Sequence, residues 1–223
     1  MSNQFPTVSR VSASILETNS VIRNTYILLG SSLAFSALMA YVAMATNARP
    51  LGLITLLVYF GLIFMINALR NSALGIVAVF AFTGFMGYTL GPMLNMYIQA
   101  FANGKELIFT ALGGTGIIFF GLSGYALTTR KDFSYLGGFL MAGMIVLMLA
   151  VLVQIFFPMP MLQLATSAGF MLFSSAIILF ETSQIIHGGE RNYIMATVSI
   201  FVALYNLFIS LLQILSFFSG QRE

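Results

Sequence analysis

Cysteine and tryptophan are absent from the 223 residues, histidine occurs once, and charged side chains make up only 7% of the chain. Without cysteine there is no disulfide, no thiolate metal site and no thiol nucleophile. His187 has no second His or Cys with which to complete a metal set, and a Ser–His–acid triad would have to be assembled around it inside an apolar chain. Soluble proteins carry roughly 25% charged residues, so this chain has too little charge to coat a water-soluble globule. Its nine Lys and Arg are dispersed and form no patch able to follow a phosphate backbone, which sets nucleic acid aside as a partner.

What is present is apolar. Hydrophobic residues reach 59% and the mean hydropathy is +0.98. Seven apolar runs stand between charged or Pro-bearing breaks, near Tyr26–Thr46, Leu51–Leu69, Ala73–Ala100, Leu107–Thr129, Tyr135–Phe157, Met161–Ile186 and Tyr193–Phe218. Each approaches the ~20 residues that a ~30 Å hydrocarbon layer requires of a helix. The expected fold class is an all-α integral membrane protein with seven transmembrane helices in a lipid bilayer. The Gly91-Pro92 pair inside the third run can either kink one helix or break it in two.

Residues 1–24 are polar, rich in Ser, Thr and Asn, and read as an extended, accessible tail without a cleavable signal; residues 25–223 form the membrane domain. With the N-terminus inside, the inner segments hold Arg10, Arg23, Arg70, Arg130, Lys131 and Arg191, and the outer ones Arg49, Lys105 and Arg222. That bias predicts a cytoplasmic N-terminus and, with seven spans, an external C-terminus. The connections are too short to fold as domains and no internal repeat is evident, so function resides in the bundle or the tail.

One ionisable group lies within a span: Glu181, about six residues before His187. A charge in hydrocarbon is costly, so this carboxyl is expected to be protonated or paired, with Arg70 or Arg191 as the partner, and it is a candidate pH-sensing or gating residue. Gly87 and Gly91 form a GxxxG spacing beside Pro92, a face that lets helix backbones approach closely. Asn206, Gln154 and Gln163 read as interhelical hydrogen-bonding residues. No residue set suggests catalysis, a metal or a cofactor.

Several segments carry a resemblance. Thr83-Gly84-Phe85-Met86-Gly87-Tyr88-Thr89-Leu90-Gly91-Pro92, Leu127-Thr128-Thr129-Arg130-Lys131-Asp132, Phe180-Glu181-Thr182-Ser183-Gln184 and Leu204-Tyr205-Asn206 resemble the Bax inhibitor-1 (transmembrane BAX inhibitor motif) family from about Arg23 onward. The resemblance implies six helices around a central seventh. For one bacterial inner-membrane branch it also implies binding to the membrane protease FtsH, with its associated regulators and the translocon as further partners, and restraint of substrate degradation. In other members it implies a calcium leak latched by two aspartates on the sixth and seventh helices. Glu181 matches the first of these, with Asn206 in register, but Ala203 stands where the second would be. One carboxylate cannot share a proton with alanine. The resemblance therefore points first to a protease regulator, with a pH-sensitive cation leak gated through Glu181 as the alternative.

Overall fold

The computed structural model describes residues 7–220, with side chains from residue 18 onward. Seven helices follow one another: α1 Thr7–Ala45, α2 Ile54–Leu69, α3 Leu74–Ala100, α4 Gly104–Thr129, α5 Leu136–Phe156, α6 Pro160–Ile186 and α7 Tyr193–Gly220. Local chemistry sets several ends. Pro160 opens α6 at the position where a missing N–H costs nothing. The Asn192 carboxamide oxygen caps α7 by accepting the N–H groups of Ile194 and Met195 at 3.0 and 3.2 Å. Beyond the end of α6, Gly188 takes φ +74°, and the N–H groups of Gly189 and Glu190 return to the Gln184 carbonyl.

Two boundaries differ from expectation, and one open alternative is resolved. The stretch up to residue 24, expected to be extended, is helical from Thr7, and residues 1–6 of that tail lie outside the described residues. Val8, Val11, Ile15 and Ile22 recur at spacings of three, four and seven, a helical period that its polar composition obscures. The second run begins its helix only at Ile54, because Pro50 and Gly52 (φ +57°) shape a turn first. At 16 residues α2 is about 24 Å long by its rise. Among the described residues six helices are long and apolar enough to cross a membrane, and α2 is a shorter apolar helix beside them. Finally, α3 continues unbroken through Gly91-Pro92.

The core is organised around α7, which packs against α1, α3, α4 and α6, while α2 joins the bundle through α3 and α5 through α6. Phe201, Ala203, Leu204 and Leu207 of α7 are buried among Phe82 of α3 and Ile178 of α6. The outward faces of α2 and α5 are apolar and exposed, as hydrocarbon demands. Because lipid tails are as apolar as leucine, helix association rests on close packing and hydrogen bonds instead of on apolar burial.

The most extensive interhelical interface joins α1 and α3. Gly84 lies on the Phe35 ring, Gly87 on Ser36, Gly91 on Ala43, and Asn95 donates to the Met44 carbonyl at 3.1 Å. These residues recur every three or four positions, so one stripe of α3 holds the Phe35–Met44 stretch of α1. The predicted packing role of Gly87 and Gly91 is thus located at a specific seam.

Candidate functional site

Two polar regions stand out. The first lies inside the bundle. Glu181 is half-buried on α6, with Ser199 of α7 and Glu190 of the following loop as its polar neighbours. The expected pairing with Arg70 is not formed. Arg70 is exposed at the C-cap of α2, where its carbonyl accepts from the Asn192 carboxamide at 2.9 Å. Arg191 is exposed as well, and its Nε donates to the Gly188 carbonyl at 3.3 Å. Ala203 is fully buried one turn beyond Ser199, and Asn206 is half-buried on the same helix. The α7 neighbour of Glu181 is therefore a serine and not a second acid.

Other polar ties cross the same interior. Tyr26 and Thr182 hydroxyls lie 3.5 Å apart, Thr89 and Tyr205 hydroxyls 3.4 Å apart, and Ser167 donates to the Gln213 amide oxygen at 2.6 Å. Gln154 donates to Thr166 at 2.8 Å, which is the interhelical bond expected of it. Gln163 instead lines a small recess with Tyr97, Ser167 and Gln213. Ser199 was not singled out by the sequence, and Thr89 and Tyr205 entered only as members of longer segments, since hydroxyls are frequent in spans and only the packing selects these.

The second region is at the end of the bundle where the 130, 187 and 70 loops meet. The two nitrogens of His187 face the Ser183 carbonyl at 2.9 Å and the Arg130 carbonyl at 3.1 Å. Ser183 Oγ accepts the Phe133 N–H at 2.9 Å, and Gln184 donates to Ser134. Asp132 accepts both the N–H and the hydroxyl of Ser134, which hold its carboxyl below the ordinary aspartate range. The last turn of α6 is thereby clamped to the α4–α5 connection. His187 serves as a structural tie, and no group of three or more metal-ligating side chains occurs among the described residues.

Cations sort by end. Arg23, Arg70, Arg130, Lys131 and Arg191 share the His187 end, because the helices alternate in direction and the Asn192–Arg70 and His187–Arg130 contacts bring their loops together. Arg49 lies at the opposite end, where it lines a recess with Tyr88, Pro92 and Tyr205.

Comparison with known proteins follows the same outline. Residues 18–220 match the family described as inhibitor of apoptosis-promoting Bax1. The chain is 53% identical to an Escherichia coli protein named modulator of FtsH protease YccA, over 92% of this chain and 94% of that one. It is 58% identical to an uncharacterised Pseudomonas aeruginosa protein over 92% of each chain, and 46% identical to an uncharacterised membrane protein of Vibrio cholerae over 90% of each.

Proposed function

The chain belongs to the Bax inhibitor-1 family, and from that premise we propose that it is a non-enzymatic inner-membrane regulator which binds an FtsH-type protease and restrains degradation of membrane-protein substrates. The observation carrying this reading is its near end-to-end identity with the relative named as a modulator of that protease. The charge bias of the His187 end supports a cytoplasmic N-terminus, on the side where a processive unfoldase engages its substrates.

The α1–α3 seam supplies a physical mechanism. A pull applied from the N-terminus loads α1 first, and α1 makes the most extensive interface in the bundle. Extracting it means separating Gly84, Gly87, Gly91 and Asn95 from their α1 partners together. Close packing has a short range, so these contacts yield cooperatively and not one by one. The chain is engaged yet slowly extracted, and other substrates, unassembled translocon subunits among them, wait.

The test is co-purification with FtsH, together with turnover of a second membrane substrate, for the full chain and for one lacking residues 1–20. The full chain should be retained and should slow that turnover, while the truncated chain should persist longer and lose the restraint. Equal half-lives with unaltered substrate turnover would defeat the proposal.

A second reading, a cation leak gated through Glu181, draws on one observation: this carboxyl is half-buried within α6, inside a span. Calcium and proton flux in liposomes at acidic and neutral pH, with Glu181→Gln alongside, decides it. Flux that the substitution abolishes favours the leak, and a silent bilayer with folded protein removes it.

A further inference from the structure

At the His187 end an open cavity of about 500 Å³ lies between the start of the membrane portion of α1 and the end of α4. Both helices pack on α6 and α7, so the last turn of α6 and the first residue of α7 close the cavity behind. Deeper in, the Tyr26 and Phe119 rings, with centroids 6.0 Å apart, bring α1 and α4 together one turn beyond Ile22. Val21, Ile22, Leu127 and Ile185 form an apolar wall, and Arg130 and Arg191 stand on the rim.

We propose that this cavity binds the headgroup of an anionic phospholipid, with the phosphate held by Arg130 and Arg191 and the glycerol and upper acyl chain lying on the Val21–Ile22–Leu127 wall. The lining is amphipathic, as such a ligand is, and the cavity opens where the bundle ends, at headgroup depth. A freely soluble phosphate has no use for the apolar wall. The carbonyl acceptors at the rim are already engaged. His187 faces the Arg130 and Ser183 carbonyls, and the Gln184 carbonyl accepts two loop N–H groups. Among the described residues the acid on the rim is Glu190, whose carboxylate accepts the Asn192 N–H at 2.7 Å. Arg191 donates through Nε to Gly188 and leaves its two terminal nitrogens for a phosphate, the forked geometry that suits that anion.

The test uses the purified full chain, delipidated in detergent and titrated with phosphatidylglycerol or phosphatidylcholine, with retained lipid counted by native mass spectrometry. Phosphatidylglycerol should be retained and phosphatidylcholine lost. Arg130→Asn, which keeps a residue tolerant of the φ of 49° there, and Arg191→Gln should each lower retention about fivefold. Arg49→Gln at the opposite end should leave retention unchanged. Equal retention of the two lipids, or an equal loss from Arg49→Gln, overturns the site. Displacement of phosphatidylglycerol by inorganic phosphate reassigns the cavity to a soluble anion and overturns the lipid. Should an arginine variant fail to fold, Leu127→Trp, which fills the apolar wall without touching a charge, must abolish selective retention; unchanged retention would count against the site as decisively.

Discussion

Gly87 of α3 lies directly on the backbone carbonyl and hydroxyl of Ser36 in α1, with no room for a side chain between them. One turn further along, Gly91 meets Ala43 in the same manner. These two contacts set how closely the helices approach, and they identify where mechanical resistance to extraction is concentrated.

Gly87→Ala should therefore lower stability by about 1–3 kcal/mol, the range for forcing a methyl into a packed interface. Gly121→Ala is the control, since nothing lies within 4 Å of a Cβ there. That second change should be neutral or raise stability by up to about 1 kcal/mol through helix propensity. Thermal unfolding in detergent measures both. If the seam resists extraction, Gly87→Ala also shortens the chain's half-life before the protease and Gly121→Ala does not.

The α6–α7 contact between Ser167 and Gln213 joins two side chains about two turns from the Pro160 end of α6. Ser167→Ala leaves the Gln213 amide without that donor, at a cost of about 0.6–1.7 kcal/mol by the measured range for hydrogen bonds inside membranes. Denaturation of the two proteins in the same detergent gives the difference. Recovery of stability in the Ser167→Ala, Gln213→Leu double variant would identify the unpaired amide as the cause.

His187 ties the end of α6 to the Arg130 carbonyl. Replacing it with Ala should release the 130–135 connection by about 1 kcal/mol of local opening, the usual worth of such a bond. Trypsin cutting after Arg130 or Lys131 should then speed up about fivefold, while global unfolding moves little. Cleavage at the original rate would show that Ser183 and Gln184 suffice as the clamp.

Asp132 responds to pH in a defined direction. Its Ser134 bonds hold the folded carboxyl below its ordinary value. The Asp132–Ser134 bonds thus contribute fully above the unfolded aspartate value and are lost as pH falls through the lower, folded one. Amide exchange at Ser134, corrected for intrinsic rate, should stay slow from neutral pH through mild acid and accelerate only below the ordinary aspartate range. Asp132→Asn should show weakened protection at every pH.

Much of this architecture is legible in the sequence because hydropathy is a local property. The bounds of α3 through α7 fall within three residues of the expected runs, and the Gly87–Gly91 spacing announced a packing face. Polar composition misled at residues 7–24, where a helical period lay beneath Ser and Asn. Turn chemistry misled at Leu51, where hydropathy alone does not register the Gly52 turn. Glu181 was conspicuous as the acid within a span, but its neighbour was not. Arg70 is near it by charge arithmetic, whereas Ser199 is near it by the register between α6 and α7.

The sequence by itself determined that this chain is a helical membrane protein with one carboxyl in a span, few charges and no cysteine chemistry. Those properties follow from composition and from how long each apolar run is. Only the tertiary structure decided which faces meet: α3 along α1, Ser199 near Glu181, and Arg130 with Arg191 around one cavity. In a bilayer every apolar face is content against lipid, so hydropathy is silent about partners. Helix register and small-residue contacts choose them, and both are settled only when the whole bundle packs.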